Sequence, residues 1–352
     1  MTLKFADGFE GYNDFDDLIK AYPSSIVTTD YFSFPTGRRA GTKCLNWNPG
    51  GAYATSDLKI PIKTGSFVSG EEIIFGFSFK VNSADGSYSS EVQFINSSTR
   101  GGVKLRFSNG GEMIQVYYGH ISFYGAGSFN YERDTWYYLE VKCKMATAGV
   151  GYIIVHLNEQ EVVNYVGDTM YSGDDFFSQA SFHFERYGWN MLIDDFYIAG
   201  SEGAYNNDFL GDVRIDAINP NGAGNYTDLT PSAGANYECV DEVIVDESDY
   251  VEGIDVGDID SYSYADVPTD IDDTDIKGIC IRNIAQRTAP ADNIKIDALI
   301  RTGSTDYNSA SEMSLLDYWT GKDFIFEKDP SDSGDWTQAK INACEFGMEV
   351  SA

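Results

Sequence analysis

An all-β fold is indicated first by the stretch Glu71-Glu-Ile-Ile-Phe-Gly-Phe-Ser-Phe-Lys-Val81. It is rich in isoleucine and phenylalanine, and its second half alternates between apolar and polar residues, as a half-buried β-strand does. Turn-forming sequences such as Ser83-Ala-Asp-Gly86 separate it from further segments of the same kind. These segments are Glu91–Asn96, Val103–Phe107, Met113–Tyr118, Trp136–Cys143, Gly151–Leu157, Ala180–Phe184 and Met191–Ala199. Many short strands at regular spacing predict a β-sandwich or barrel.

Composition and charge predict two all-β domains. The chain has 352 residues, with 24 tyrosines, 22 phenylalanines and 35 glycines, which suit pleated surfaces and the turns between them. From Ala204 onward there are 31 acidic and 9 basic residues, against 24 and 15 before it. The small, polar stretch Gly200–Asn207 reads as a linker. We therefore expect domains at residues 1–203 and 204–352.

The second domain is also predicted to be β-rich. Its strand signals are Phe209–Ala217, Asp275–Asn283, Asn293–Thr302 and Phe324–Glu327. A short C-terminal helix is predicted over Asp335–Cys344, because Asp335 can cap it and its apolar residues recur at helical spacing. A second short helix is predicted near Asp14–Tyr22, where aspartates can cap the first turn.

The net charge of −31 argues against several partners. Nucleic-acid binding needs a basic face that releases counterions, and an anionic lipid surface would repel this chain. The sequence contains no apolar run long enough for membrane insertion and no recognisable signal peptide. The five cysteines are far apart and never in CxxC spacing, so we interpret them as buried thiols in a reducing compartment.

A search for catalytic motifs predicts a protein that is not an enzyme. The three histidines are His120, His156 and His183, and the last two lie within predicted strands. Neither a GxSxG nucleophile turn nor an HExxH metal motif is present. The carboxylate pattern Glu247-Ser-Asp-Tyr-Val-Glu252 lies in the most acidic part of the chain, where such a pattern is expected by chance.

Aromatic residues in the first domain have two possible uses. Trp47, Tyr117, Tyr118 and Trp189 could line a face on which sugar rings stack. They could equally fill the sandwich core or a subunit interface, where tyrosine and tryptophan are enriched.

The first domain resembles the concanavalin A-like, or laminin-G-like, jelly-roll domains of tailed-bacteriophage structural proteins. Three features carry this resemblance: the opening segment Phe5–Tyr12, the strand Asp134–Lys142 followed by Gly151–Asn158, and the closing strand Ile193–Ile198. The second domain is similar to a domain that often follows this jelly roll. The similar segments are Asp208–Arg214, Pro220–Gly224, Tyr237–Glu242 and Asp335–Asn342.

The resemblance implies a concanavalin A-like jelly-roll β-sandwich followed by a smaller β-sandwich domain with a short C-terminal helix. It implies a virion structural protein (a tail, collar or fibre component) that binds other virion proteins, forms a homo-oligomer and is assembled in the host bacterial cytoplasm. The alternative is an adhesin that binds host surface glycan, and a glycan hydrolase is the third hypothesis.

The resemblance also implies a structural calcium ion where the first and last strands meet, which would bring together Asp7, Glu10, Asp194 and Asp195. The competing interpretation is that Asp195 orients a loop by accepting backbone N–H bonds. No other cofactor is expected.

Overall fold

The computed structural model describes residues 2–21, 31–48, 55–60, 70–83, 90–95, 102–108, 112–119, 123–147, 149–170, 177, 179–185, 190–288 and 293–352. These residues form two compact units. The first unit contains Met1–Glu10 and Ser24–Asp216, and the second contains Gly11–Pro23 and Ala217–Ala352. The units differ from the predicted domains in two places, since residues 204–216 lie with the first unit and residues 11–23 with the second.

The strands of the first unit follow the predicted segments closely. In chain order they are β1 (Leu3–Asp7), β2 (Phe32–Ser33), β3 (Leu45–Trp47), β4 (Thr55–Ile60), β5 (Glu72–Ser83), β6 (Ser90–Ile95), β7 (Gly102–Ser108), β8 (Met113–Gly119), β9 (Phe123–Asn130), β10 (Tyr137–Lys144), β11 (Gly151–Leu157), β12 (Gln160–Gly167), β13 (Gln179–Glu185) and β14 (Asn190–Gly200).

These strands form two antiparallel sheets. Sheet I has the order β12-β11-β10-β5-β14-β3-β2, and β1 also pairs with β14. Sheet II has the order β4-β13-β6-β7-β8-β9. Half of the neighbouring strand pairs are not consecutive in sequence, as expected for a jelly roll and not for a simple meander.

The core lies between the two sheets and is built on β5. The ring of Phe75 stacks on Phe94 of β6 with centroids 3.6 Å apart. Phe79 meets Phe107 of β7 edge-on at 5.2 Å. Because successive side chains of a strand point to opposite faces, this packing leaves the polar residues of each strand on the outer faces. The first unit is therefore a concanavalin-like sandwich, as predicted.

The turn between β11 and β12 explains why an asparagine ends the Gly151–Asn158 segment. Asn158 and Glu159 both have positive φ, 48° and 65°, which a two-residue hairpin turn requires. Asparagine tolerates this region of backbone space better than most residues. Its side chain also accepts a hydrogen bond from the Tyr138 amide at 2.9 Å and so joins the turn to β10.

The second unit contains shorter elements. They are α1 (Phe15–Ala21), β15 (Pro220–Thr227), β16 (Thr230–Pro231), a 3-10 helix (Asn236–Cys239), β17 (Val251–Glu252), β18 (Ile259–Tyr264), β19 (Ile279–Ala285), β20 (Lys295–Thr302), β21 (Thr305–Asn308), β22 (Met313–Ser314), β23 (Thr320–Phe326), α2 (Gln338–Asn342) and β24 (Cys344–Val350).

A larger sheet and a two-stranded sheet form the core of the second unit. The larger one has the order β15-β18-β24-β20-β21, with β22 also on β20, and the smaller one pairs β19 with β23. Ile281 and Phe326 of the smaller sheet pack against clusters that contain Ile300, Trp336 and Phe324. The predicted fold class, two β-sandwich units with a short C-terminal helix, is confirmed.

Both predicted helices form, and α2 is capped differently from the prediction. Asp14 accepts hydrogen bonds from the amides of Asp16 and Asp17 and so caps α1. In α2 the cap is Thr337, whose hydroxyl accepts from the Lys340 amide at 3.2 Å, and Asp335 lies outside the helix.

The prediction that the cysteines are buried is confirmed for four of the five. All five cysteines are free, and Cys280 alone among them is exposed. No helix within the described ranges combines the length and apolar character needed to cross a membrane.

Candidate functional site

The four predicted calcium ligands lie together where β1 meets β14. Asp7 ends β1 opposite Phe196, and Asp194 and Asp195 lie in β14 at a bulge. Asp194 and Asp195 are completely buried. Asp195 has a φ of 50°, which is uncommon for a residue other than glycine, so the bulge sets its direction. The predicted proximity of the first and last strands is therefore present.

The oxygens of Asp194 and Asp195 are already bonded to donors of the chain itself. Asp195 accepts from Nη1 and Nη2 of Arg39 at 2.6 and 2.9 Å, and from the Ile215 amide at 2.8 Å. Asp194 accepts from the amides of Arg38 and Asp195 at 2.8 and 2.9 Å. Two arginines thus supply the positive charge that a cation would bring, and Asp195 orients backbone in the way that the competing interpretation requires.

This arrangement does not fit a calcium ion. Calcium takes six to eight oxygen ligands, whereas here guanidinium and amide donors already hold the carboxylates. Within the described ranges, no group of three or more histidine, cysteine, aspartate or glutamate residues is arranged to hold a metal ion. We therefore assign this cluster a structural role.

Glu10 is the member of the cluster whose side chain has an unsatisfied buried oxygen. Its Oε1 is buried and has no hydrogen-bond partner within the described part of the chain. Burial, together with the nearby Asp7, Asp194 and Asp195 charges, raises the pKa of Glu10 to about 9. Burial and the Asp195 charge also raise the pKa of Asp194, to about 7. Glu10 is therefore protonated at neutral pH, which reduces the repulsion within the cluster.

A strap of residues 208–216 covers part of the outer face of sheet I. Glu140 of β10 accepts from the amides of Leu210 and Gly211 at 2.9 and 3.0 Å, and from the Tyr197 hydroxyl at 2.6 Å. The ring of Phe209 stacks on His156 of β11 with centroids 4.0 Å apart. The part of this face on β10 and β11 is therefore covered by the chain itself.

The strap corrects one prediction of secondary structure. Residues 209–217 were expected to form a strand, and they form none. Their amides at Leu210, Gly211 and Ile215 donate to the buried carboxylates of Glu140 and Asp195. Bonds to side chains replace the strand ladder here, which alternation of residue type does not reveal.

The outer face of sheet II carries two cross-strand rows of polar side chains, which we call the charged face. The register places Glu91 opposite Arg106 and Arg106 opposite Gln115. In the next row, Gln93 is opposite Lys104 and Lys104 is opposite Tyr117. The charged face is thus defined by Glu91, Gln93, Lys104, Arg106, Gln115 and Tyr117 on β6, β7 and β8.

Glu91 connects the members of the charged face. Its Oε2 accepts from Lys104 Nζ at 2.8 Å and from Gln93 Nε2 at 2.7 Å. Its Oε1 accepts from Arg106 Nε at 2.8 Å, and the Arg106 guanidinium carbon lies 5.2 Å from the centroid of the Tyr117 ring. One carboxylate therefore fixes two cations and an amide in a single arrangement.

Lys104 and Arg106 stabilise the ionised form of Glu91. Burial alone would raise its pKa, but the hydrogen bonds and charges of Lys104 and Arg106 outweigh burial, and the pKa of Glu91 is lowered. Glu91 is 6% exposed and Lys104 is 7% exposed, so both charges are held away from bulk water. Ion pairs in such surroundings are screened less by salt than exposed pairs are.

The predicted aromatic residues have different environments. Trp47 is completely buried against Phe32 and so fills the core, which was one of its two interpretations. Tyr117 belongs to the charged face. Tyr118 stacks on Tyr165 of β12, and their hydroxyls are 2.6 Å apart. Trp189 and His120 lie outside the described residues.

Sequence reasoning did not single out Glu91, Lys104 and Arg106. The alternation in Val103–Phe107 does place Lys104 and Arg106 on one face of a strand, so the signal was present. What the sequence lacks is the register of β7 against β6, which brings Glu91 next to both cations.

No known protein family matches the chain, and no curated protein matches it. Solved structures with similar folds include the alginate lyase Aly36B, with 14% identity over 55% of this chain and 95% of that chain and a TM-score of 0.43. A carbohydrate-binding module, CBM66 from Bacillus subtilis, is 11% identical over 49% of this chain and 91% of that chain, with a TM-score of 0.28.

A third similar structure is a protein of unknown function with a galectin-like fold, also from Bacillus subtilis. It is 11% identical over 56% of this chain and 98% of that chain, with a TM-score of 0.37. At these identities and scores the likenesses concern the sandwich fold of about half of the chain. They show a likeness in β-sandwich fold and carry no argument about function.

Proposed function

We propose that the first unit is a carbohydrate-binding β-sandwich that binds a glycan on the charged face and catalyses no reaction. The observation that carries this proposal is the pair of rows on β6, β7 and β8, in which charged, amide and phenol side chains lie side by side on one sheet face. This is a polar surface with one aromatic ring, on the face opposite to the phenylalanine core.

The side chains of the charged face match the groups of a sugar. Hydroxyl groups both donate and accept hydrogen bonds, and Gln93 and Gln115 offer amides that do the same. Arg106 offers donors only, and Tyr117 places an aromatic ring next to it. Gln93 and Arg106 are held by hydrogen bonds to Glu91, so they lose little side-chain freedom on binding.

The other outer face is less suited to a ligand. The strap lies against Glu140 and His156 and satisfies polar groups of β10 and β11 from within the chain. A glycan on that face would have to displace bonds that are already formed.

The state of Glu91 supports binding without hydrolysis. A glycosidase needs a carboxylic acid whose pKa is raised so that it can protonate the leaving group. Glu91 has the opposite shift, and both of its oxygens are bonded to neighbouring side chains.

Affinity electrophoresis through gels that contain neutral or acidic polysaccharides tests the proposal with the full chain. We expect retardation by at least one polysaccharide, and loss of that retardation in Tyr117→Ala and Gln93→Ala. Tyr205→Ala and Gln160→Ala are matched controls, because both residues are exposed and lie in the first unit away from β6, β7 and β8. Retardation that is equal in all four variants would contradict the proposal.

A second candidate function is the virion structural role that the resemblance implies, in which the chain binds other virion proteins as a homo-oligomer. Exposed apolar side chains in the second unit favour it. Ile254 and Val256 are 78% and 67% exposed on one loop, whose Ile254 and Asp255 amides donate to the Asp258 carboxylate. Apolar side chains held outward on an ordered loop suit a contact with another protein.

The virion role is tested by counting copies of the chain in purified virions of the phage that encodes it. Mass spectrometry against the major capsid protein should give a fixed, low copy number. Absence of the chain from virions would overturn this second candidate and leave the glycan proposal unaffected.

A further inference from the structure

We infer that the glycan bound on the charged face is anionic, and that Arg106 binds the carboxylates of its uronic acid units. This inference rests on the proposed function and names the substrate class of the same site.

Arg106 is held in a geometry that presents its fork of donors. Its Nε is bonded to Glu91 at 2.8 Å, and its guanidinium carbon lies 5.2 Å from the centroid of the Tyr117 ring. These two contacts fix the stem and one face of the group. Within the described part of the chain, neither Nη atom donates a hydrogen bond to a protein acceptor, and the side chain is 37% exposed. The two Nη donors therefore remain for a ligand.

A carboxylate is the ligand group that these donors fit. The guanidinium presents parallel N–H groups that bind both oxygens of a carboxylate, and such charge-assisted pairs are roughly twice as strong as neutral hydrogen bonds. A neutral sugar hydroxyl would occupy one donor and leave the other partly satisfied. The fork of Arg106 thus favours an acidic sugar over its neutral counterpart.

The local charge balance supports the same choice. Lys104 and Arg106 carry two positive charges against the single negative charge of Glu91. The charged face is therefore net positive, whereas the whole chain has a net charge of −31. A chain this acidic repels polyanions in general, so affinity for one would have to come from a local site.

Gln93 extends the site beyond the carboxylate. Its Nε2 is bonded to Glu91, which turns its carbonyl oxygen into a fixed acceptor next to Lys104. A uronic acid unit also carries free hydroxyl groups on its ring, and they can donate to such an acceptor.

The experiment compares three polyuronates, namely alginate, polygalacturonate and hyaluronan, with the same polymers after chemical reduction of their carboxylates to alcohols. Isothermal titration calorimetry uses oligosaccharides of each and the full-length chain. We expect at least one acidic oligosaccharide to bind about tenfold or more tightly than its reduced form, the effect of one charge-assisted pair.

Variants at Arg106 test the residue assignment. Arg106→Gln should weaken binding of the acidic form about tenfold and binding of the reduced form by a much smaller factor, and Arg106→Lys should recover only part of the loss because a lysine has no fork. Arg133→Gln is the matched control, since Arg133 is an exposed arginine of the same unit that pairs with Glu112. Thermal unfolding of each variant checks that the fold is retained.

The outcomes separate this inference from the proposed function. Equal binding of acidic and reduced forms, with loss of both in Tyr117→Ala, would overturn the inference and keep the glycan-binding proposal. Preference for the acidic form that survives in Arg106→Gln would overturn the role of Arg106. Failure of every acidic and neutral polysaccharide to bind would overturn both.

Discussion

Arg39 and Asp195 form a bidentate ion pair in which the carboxylate has no contact with solvent: Nη1 lies 2.6 Å from Oδ2 and Nη2 lies 2.9 Å from Oδ1. The Ile215 amide donates to the same carboxylate at 2.8 Å. The pair thus joins the loop after β2 to the bulge of β14 and to the strap. Its loss should affect all three.

Asp195→Asn should destabilise the first unit by about 3 kcal/mol, because it leaves the Arg39 charge without its buried partner. Asparagine tolerates the positive φ at this position, so the backbone is not the cause. Urea unfolding measures the change. Asp212→Asn is the control, since Asp212 is half exposed and pairs with Arg38 at the surface, and it should cost less than about 1 kcal/mol. Equal losses in both variants would contradict the importance of burial.

Calcium should leave the protein unchanged. Arg38 and Arg39 already compensate the Asp194 and Asp195 carboxylates, so millimolar calcium and a chelator should give the same Tm. Differential scanning calorimetry measures it, and magnesium is the control for ionic strength. A rise in Tm that is specific to calcium would show that the cluster rearranges to bind the ion.

The pKa of Glu10 predicts a fall in stability as the pH rises. Its pKa is 4.5 in the unfolded chain and about 9 in the folded one, so the folded state binds the proton more tightly. The stabilisation is complete below the unfolded pKa and is lost as the pH rises through the folded pKa. Urea unfolding across this window should show a negative slope, which Glu10→Gln reduces. Part of the slope should remain, because the pKa of Asp194 is raised to about 7. If the free energy of unfolding depends on pH as steeply in Glu10→Gln as in the wild type, Glu10 is not the cause of the slope.

The lowered pKa of Glu91 predicts that the stability of the protein falls as the pH falls in the acid range. Burial raises its pKa, but Lys104 and Arg106 outweigh burial and the net shift is downward. Its stabilisation is therefore present above the unfolded pKa of 4.5 and lost as the pH falls through the folded pKa. Glu91→Gln should unfold more easily at neutral pH and lose stability less steeply in acid. Glu112→Gln, in an exposed pair with Arg133, should behave like the wild type in both respects.

Glu140→Ala should release the strap. The Leu210 and Gly211 amides and the Tyr197 hydroxyl would lose their common acceptor, at a cost of about 3 kcal/mol in total. Limited proteolysis should then cut within residues 208–216 faster than in the wild type. Glu161→Ala changes an exposed glutamate on β12 and should not affect the cleavage rate. Cleavage that is equally slow in Glu140→Ala would show that other contacts hold the strap.

Local patterns were enough to predict most strands and the fold class. The alternation in Glu71–Val81 and Trp136–Cys143 is a property of one strand at a time, and β5 and β10 lie where it predicts. The meeting of Asp7 with Asp194 and Asp195 was also predicted, but from the resemblance.

The partners of these side chains could not be predicted in the same way. Arg39 is 156 residues from Asp195 in the sequence, and nothing near either residue indicates the other. Glu91 meets Arg106 only through the register of two strands. The strap has the alternation of a strand, and buried carboxylates on other strands take its amides instead.

The assignment of residues 11–23 to the second unit has a consequence for synthesis on the ribosome. Helix α1 contacts β23, where Gly321 lies so close to Ala21 that a methyl group at position 321 would come within 2.9 Å of the Ala21 backbone. About 300 residues separate these partners, which at ~5–20 residues per second means a wait of roughly 15 to 60 seconds during translation. The first unit can close on itself as soon as Asp216 has left the exit tunnel. The nascent chain therefore carries α1 without its partner while the first unit is already able to fold, and α1 can pack only when β23 emerges.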